Sequence, residues 1–295
     1  DLDADGLDPL VTAIENFYEV DINSINPTVE TDEWALDVTG AVLETQTLTF
    51  DDLAELPVEH RFETLRCVGD PVDGRKMSTA LWTGVPVDAL LDRADPAGSR
   101  VMVRAVDGYY NEFPLDALRG GLLAYRMNGA ALPRKHGAPV RLLVPGHWGE
   151  INVKWITEIE VLDREEEGYW EKRGWFGTGT VNTVAKLWTE RRLDDGRVRV
   201  GGLAYAGTRG VDRVEVSTDG GETWTDARLS DPLPDEDVWR QWLHEFEPTR
   251  DRHEVVVRAV EADGTVQPET ENTPQPRGAS GWASLARAGA MCARC

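Results

Sequence analysis

The sequence predicts an α+β domain over residues 1–165, a linker at 166–180 and a small β-sandwich over 181–280, with a tail at 281–295 to which no structure is assigned. Two observations lead there. Up to about residue 165, strand-like alternation is mixed with short helical faces, whereas beyond residue 180 the pattern is almost wholly period-two alternation broken by glycine turns. Between them, the charged run Asp163-Arg164-Glu165-Glu166-Glu167 leads into the glycine-broken Gly174-Trp175-Phe176-Gly177-Thr178-Gly179, a composition that suits a connection better than a core. The length of 295 residues also suits two domains at roughly 150 residues each.

Trp34, Leu36 and Val38 alternate with polar residues before Gly40, giving a strand and a turn. Asp51 to Leu56, stopped by Pro57, has the signature of a short N-capped helix. Val87, Leu90 and Leu91 share a helical face within Val85 to Ala94, and Val101 to Val106 returns as a strand ending at Asp107-Gly108. Pro139 to Val144 and Ile151 to Leu162 are two further β-rich runs. In the second half, Arg197 to Ala206, Val211 to Ser217 and Glu254 to Val260 alternate as strands, with turns at Asp219-Gly220-Gly221 and Asp263-Gly264. Ser217-Thr218-Asp219-Gly220-Gly221-Glu222-Thr223-Trp224 is expected to be a structural hairpin: glycine takes positive φ, Asp219 bonds its own backbone and Trp224 packs on the turn.

The net charge is −22, with only 5 lysines beside 26 arginines and the acids spread along the whole chain. Such a surface repels itself in dilute buffer and is tolerable at molar salt, where the Debye length falls to about 3 Å, so adaptation to high salt is expected. Nucleic-acid binding through phosphate neutralisation is disfavoured by the same charge. No run of about 18 apolar residues occurs. The chain begins at Asp1, which leaves room for an upstream signal or anchor. The expected location is extracytoplasmic or membrane-associated through a segment absent from this chain, with a cytoplasmic location as the alternative.

Three cysteines are too few and too unevenly placed for a disulfide framework. Cys292 and Cys295 form one CxxC without a second pair, whereas Cys67 stands alone where Thr64-Leu65-Arg66 runs into the turn Val68-Gly69-Asp70, and a strand end is a common place for a reactive side chain. On residues alone Cys67 is either a small buried hydrophobe or a ligand. The densest chemical candidate is His136 to Arg141 followed by Pro145 to Trp155, which gathers His136, Arg141, His147 and Lys154 around Gly/Pro turns in an otherwise anionic chain. Those cations and the turn N–H groups suit a phosphate, or else form a hairpin that offsets nearby carboxylates. Gly174-Trp175-Phe176-Gly177 does not follow a strand within a βαβ unit, so a dinucleotide site is rejected.

At these residues the chain resembles the sulfite oxidase-like molybdopterin-dependent oxidoreductases. The resemblance runs over nearly the whole length, through Asn16-Phe17-Tyr18-Glu19-Val20, Trp34 to Gly40, Thr64-Leu65-Arg66-Cys67-Val68-Gly69, Ala80-Leu81-Trp82-Thr83-Gly84-Val85, Asp107-Gly108-Tyr109 and Leu123-Ala124-Tyr125-Arg126-Met127-Asn128-Gly129. It implies a molybdopterin-binding domain followed by an immunoglobulin-like dimerisation domain. It also implies that Cys67 supplies the thiolate on molybdenum, and that Tyr18, Glu19, His136, Arg141, Asn152, Val153 and Lys154 hold the molybdopterin by side chain or backbone. A soft thiolate suits a thiophilic metal.

The implied activity is two-electron oxygen-atom transfer on a small sulfur oxyanion or related small-molecule substrate. There is no haem-attachment CxxCH in this sequence, so electrons are expected to be exchanged with a separate partner, cytochrome or quinone-linked, or with a domain absent from this chain, and a homodimer is among the expected assemblies. The chain departs from the animal and plant pattern twice. Trp170-Glu171-Lys172-Arg173-Gly174-Trp175 puts Trp175 where those enzymes have an active-site Tyr, and the form Gly168 to Trp175 looks closer to prokaryotic members; Asp70-Pro71 stands where the animal and plant enzymes have Asn-Arg. Sulfite oxidation and sulfoxide reduction therefore both remain open. The competing reading from another class is a non-catalytic β-rich binding protein in which Cys67 is a core residue. The last strand that the resemblance implies after Gly281 is not recognisable in Trp282 to Cys295.

Overall fold

The computed structural model describes residues 1–248 and 252–288. Before residue 165 the strands are β1 (Ala35–Gly40), β2 (Gln46–Thr49), β3 (Glu59–Arg66), β4 (Met77–Pro86) and β5 (Arg100–Ala105), then β6 (Tyr110–Pro114), β7 (Leu122–Met127), β8 (Ala130–Ala131), β9 (Arg141–Leu143) and β10 (Ile156–Leu162). They make two sheets. One has the order β2-β1-β10-β5-β6, with β1 and β10 parallel; the other has the order β3-β4-β7-β8, with β9 added against β7. Three short helices, α1 (Phe50–Ala54), α2 (Asp88–Ala94) and α3 (Leu115–Leu118), connect them. Leu36, Val38, Val103 and Ile159 of the first sheet meet Val85 and Leu123 of the second, with Leu90 and Leu91 of α2, in one buried core.

The helix expected at Asp51 begins one residue earlier, because Thr49 caps it. The Thr49 hydroxyl accepts from the Asp52 N–H at 3.2 Å, and the Asp52 carboxylate accepts from the Thr49 N–H at 2.9 Å. The helix expected from Val85 is shorter than its apolar face suggested. Val85 and Pro86 still pair with Leu123 and Leu122 of β7, so the chain stays extended until Val87. The β-rich run from Ile151 is a 3-10 turn at Gly149–Ile151 followed by irregular chain, and its strand starts only at Ile156. Trp155 sits at φ 52°, a left-handed conformation that breaks the strand just before it begins.

The second half contains β11 (Val184–Arg192), β12 (Val198–Tyr205), β13 (Val211–Ser217), β14 (Thr225–Asp226), β15 (Arg228–Leu229), β16 (Arg240–Phe246), β17 (Arg252–Glu261) and β18 (Ala283–Ala288). Two four-stranded antiparallel sheets, ordered β11-β12-β16-β15 and β14-β13-β17-β18, share a core around Val200, Leu203, Val214, Val216, Trp242 and Val257. The structure corrects the reading of the tail: Ala283–Ala288 is a strand, paired with β17 from Ala283↔Val257 to Ala288↔Arg252. Its alanines carry little intrinsic strand signal, and the register on a β-branched neighbour supplies what propensity lacks. Cys292 and Cys295 lie outside the described residues.

The Ser217 to Trp224 segment is structural. Asp219 accepts from Thr223 through backbone and side chain at 2.9 and 2.6 Å, and the Trp224 indole donates to the Gly221 carbonyl at 3.0 Å.

Candidate functional site

A cleft of ≈ 230 Å³ opens where β3, the loop after it, the Gly149–Trp155 segment and the linker converge, and Cys67 stands in its wall. Beyond Arg66 the chain leaves its sheet, and the Asp70 N–H closes a turn onto the Cys67 carbonyl at 3.1 Å. Cys67 is half-buried and free. Burial pushes its thiol above the ordinary value, opposed by an N–H bond from Gly69 and the charge of Lys76, so the unliganded sulfur keeps its proton at neutral pH.

Arg141 lines the same cleft and is 6% exposed. Its Nη2 donates to the Asn152 carbonyl at 3.2 Å and Nη1 to the His136 carbonyl at 3.5 Å, while Nε has no partner. Burial pushes the guanidinium down to about 10, so it remains charged at neutral pH. No ion pair neutralises it among the described residues, an arrangement that costs free energy unless an anion completes it. Tyr18 also lines the cleft, and its hydroxyl can lie there because position 149 is glycine: a Cβ at Gly149 would come within 2.7 Å of it. Burial raises its phenol well above the usual value, so it stays a neutral hydrogen-bonding group.

The sequence-predicted cationic cluster is split by the fold. Lys154 is in the wall but is paired with Asp21, donates to the Lys135 carbonyl at 3.2 Å and lies 4.7 Å from the Trp155 ring. Burial and Arg141 lower its basicity, and Asp21 works against them. His147 and His136 are outside the lining: the first meets the Pro145 carbonyl at 2.8 Å, the second the Ile14 carbonyl at 3.2 Å and the Phe17 ring. Burial pushes His136 down to about 4, leaving it neutral rather than cationic at pH 7. Glu19 is exposed, bridges to Lys135 at 2.6 Å and is also outside the lining. The Lys135 bond holds its carboxyl below the usual range.

Asn152 and Val153 are both in the wall. The Asn152 side chain is used internally, accepting from the Val144 N–H at 2.7 Å and donating to the Trp148 carbonyl at 2.9 Å, and so fixes the loop that presents Val153. Trp175 is half-buried, lines the cleft, and comes as near as the Cys67 sulfur to a Cβ built at Gly69, 3.7 Å in each case.

Sequence reasoning gave no role to Glu150, Asp21, Lys76, Asp107 or Tyr109, which the fold brings into the cleft wall. It also passed over the support beneath Cys67. Arg66, Asp70 and Lys186 are all fully buried, with Lys186 Nζ 2.6 Å from Asp70 Oδ2 and Arg66 Nε 3.6 Å from the same oxygen. Lys186 is pushed down to about 8, first by burial and then by Arg66, and remains mostly protonated at pH 7.

Residues 23–170, half of the chain, match the model of the oxidoreductase molybdopterin binding domain, and residues 182–279 match the Mo-co oxidoreductase dimerisation domain. The chain belongs to the sulfite oxidase-like molybdopterin oxidoreductases. The mitochondrial sulfite oxidase of Macaca fascicularis is 31% identical over 83% of this chain and 55% of its own length. The sulfite oxidase of Arabidopsis thaliana is 26% identical over 88% of this chain and 82% of itself, and the NADH nitrate reductase of Solanum lycopersicum is 28% identical over 82% and 34%. The chain thus spans about half the length of the mammalian relatives it matches. The crystal structure of the sulfane dehydrogenase SoxCD of Paracoccus pantotrophus superposes with a TM-score of 0.79 over 95% of this chain and 81% of that one; at 21% identity the likeness is one of fold.

The cofactor of this molybdopterin family is molybdenum bound by molybdopterin, and the cleft fits it on its own chemistry. Arg141 is a buried cation with an unpartnered N–H and no counter-ion among the described residues, which suits a phosphate. A thiol in the wall of the same cleft suits a thiophilic metal.

Proposed function

We propose that this chain is the molybdenum-bearing part of an enzyme that moves an oxygen atom between water and a small sulfur oxyanion, with two electrons exchanged with a separate cytochrome or quinone-linked partner. The observation that supports it most is the pairing, in one cleft, of a free thiol at a strand end with a buried arginine that has no counter-ion among the described residues. Cys67 is then the protein's ligand to the metal. Its raised proton affinity is overcome on binding, since a thiolate is the donor and metal binding releases the proton. Arg141 grips the phosphate, with Tyr18 and the Asn152–Val153 backbone fixing the rest.

The bound cofactor supplies the redox chemistry and the oxygen transfer. The chain's own part is to bind, orient and exclude water. Trp175, Trp170 and Tyr109 wall the cleft with aromatic surface. Lys76, exposed and lining the cleft, acts electrostatically on Cys67 and gives an anionic substrate a cation in the absence of the Asn-Arg pair replaced by Asp70-Pro71. The second half, matched over 182–279 as a dimerisation domain, supports a homodimer, and we assign it an immunoglobulin-like sandwich.

Metal and pterin analysis of the purified protein tests this reading, followed by a panel of sulfite, sulfoxides and nitrate with artificial electron carriers. About one molybdenum per chain is expected. Cys67→Ser should keep the fold and lose turnover, because a hydroxyl is a harder, weaker donor to this metal. Full activity in that variant, or a metal-free wild type that still turns over, removes the assignment.

A further inference from the structure

Glu150 has no role in the binding functions described so far, yet it is 8% exposed and in the cleft wall. Its carboxyl is held asymmetrically. Oε1 accepts from the Gly177 N–H at 3.1 Å, while Oε2 has no partner. Gly177 belongs to the linker that also brings Trp175 to the cleft, and a side chain there would not fit: a Cβ would lie 2.6 Å from Glu150 Oε2.

The backbone around this carboxyl is fixed. The Tyr109 hydroxyl donates to the Glu150 carbonyl at 2.7 Å, and the Asn111 amide donates to the Tyr109 hydroxyl at 3.2 Å. The charged groups acting on it do not relieve it: Glu171 adds like charge, Tyr109 is neutral, and the effect of Glu150 on Cys67 is to raise that thiol's proton affinity. Asp107, another acid, and Lys76 line the same cleft, and no ion pair joins Lys76 to Glu150 among the described residues. A buried carboxyl with one free oxygen and no cation bonded to it is in the state that favours carrying a proton over carrying a charge.

We propose that Glu150 is the proton carrier of this cleft. The inference rests on the oxygen-atom-transfer reading above, in which substrate and water give oxygenated substrate, two protons and two electrons. In that direction Oε2, unprotonated at the start, takes one of the protons leaving water and later passes it to solvent. The second proton leaves to bulk water, and the two electrons leave to the cytochrome or quinone-linked acceptor. In the reducing direction the same carboxylic acid gives up its proton.

Burial pushes Glu150 up to about 7, opposed by the Gly177 N–H bond. It therefore exchanges its proton near neutral pH, where a proton carrier is most effective.

The sign follows from linkage. The folded protein holds this proton up to about pH 7, whereas an unfolded Glu loses it near 4.5. Glu150 therefore makes stability fall as pH rises from about 4.5 through 7, and Glu150→Gln removes that fall.

The test uses cofactor-loaded wild type, Glu150→Gln and Glu150→Asp, with three readouts. Difference infrared spectra without substrate should show a protonated-carboxyl band that disappears on raising the pH through about 7 in the wild type and is missing in Glu150→Gln. Thermal midpoints of wild type and Glu150→Gln should converge below about pH 4.5, draw apart as the pH rises to about 7 and stay apart above it, the variant being the more stable there. With any substrate turned over, kcat in Glu150→Gln should drop roughly 100-fold and lose the limb near neutrality, at unchanged molybdenum and pterin content, with partial recovery in Glu150→Asp.

An unaltered kcat profile in Glu150→Gln overturns the inference and leaves the oxygen-transfer reading standing. A wild type that turns over no substrate removes that reading instead. The infrared and melting data then decide the proton-holding part of the inference, and a carboxyl that titrates near 4.5 overturns it.

Discussion

Lys186→Met should destabilise the protein and loosen the loop that carries Cys67. The ammonium of Lys186 reaches from β11 into the turn after Cys67, donating to Asp70 Oδ2 at 2.6 Å, Gly74 O at 2.9 Å, and Pro71 O and Val72 O at 3.2 Å. Three protons are thus shared among four oxygens, the contacts to Asp70 and Val72 fully buried and those to Pro71 and Gly74 partly so. Methionine keeps the length and apolar stem but leaves three carbonyls and a carboxylate oxygen without that donor, and Asp70 keeps only Arg66 at 3.6 Å and the Lys76 N–H at 2.9 Å. Removing one partner of a buried, hydrogen-bonded pair costs about 3–5 kcal/mol. At this chain length each kcal/mol lowers the melting midpoint by roughly 2 °C, so a fall of about 6–10 °C is expected. The assay is a thermal melt of the loaded protein with molybdenum content measured before heating, and occupancy should drop as well. A midpoint within about 2 °C of wild type with full metal content would refute the reasoning and mark the contact as solvated in solution.

Arg141→Met should reduce bound pterin in the purified protein, since charge-assisted hydrogen bonds of roughly 1.5–3 kcal/mol are lost while the apolar stem is kept. Pterin content at the wild-type level would return Arg141 to a structural role under the Asn152 loop. The melting midpoint of the loaded protein should rise with chloride between about 0.1 and 1 M, the range over which the Debye length falls from about 10 to about 3 Å. Sodium and potassium should act alike, and a flat or falling midpoint would leave the −22 charge without a salt-adaptive meaning.

What the sequence reveals depends on how local the cause is. β5 and β13 are legible because their alternation and flanking turns lie within a few residues. Cys67 stands out as a cysteine at a strand end, and Arg141 as a cation in an anionic chain. The charge of Arg141 is unpaired only because the fold offers it backbone carbonyls, which no residue pattern encodes. Lys154 looks equally cationic in sequence, but Asp21, 133 positions away, neutralises it. β11 escapes the alternation rule because Val184, Ala185 and Lys186 are buried in succession, and a buried lysine is not a core signal until Asp70 is known to meet it. Glu150 lies between the two runs, Pro139 to Val144 and Ile151 to Leu162, that read as β-rich; the chain there folds as a 3-10 turn, and that turn brings its carboxyl into the wall.

The non-local contacts beneath Cys67 have a geometric cause. β3 is the edge strand of its sheet, with β4 on one side only, and an edge leaves N–H and C=O groups unpaired. The second half takes those groups. The Phe62 N–H donates to Asp235 Oδ2 and the Thr64 N–H to the Asp237 carbonyl, both at 2.8 Å, and the Thr64 carbonyl accepts from the Tyr205 hydroxyl at 2.9 Å. Arg66 continues the series, donating to the Asn182 carbonyl at 2.9 Å just before Cys67. The strand that ends at the thiol is therefore held on one edge by its own sheet and on the other by the second half. Lys186 then fixes the turn beyond it. A displacement of the second half relative to β3 would break this series of hydrogen bonds before reaching any residue of the cleft wall. The position of the Cys67 sulfur is thus a property of the contact between the two halves as much as of the sheet it leaves.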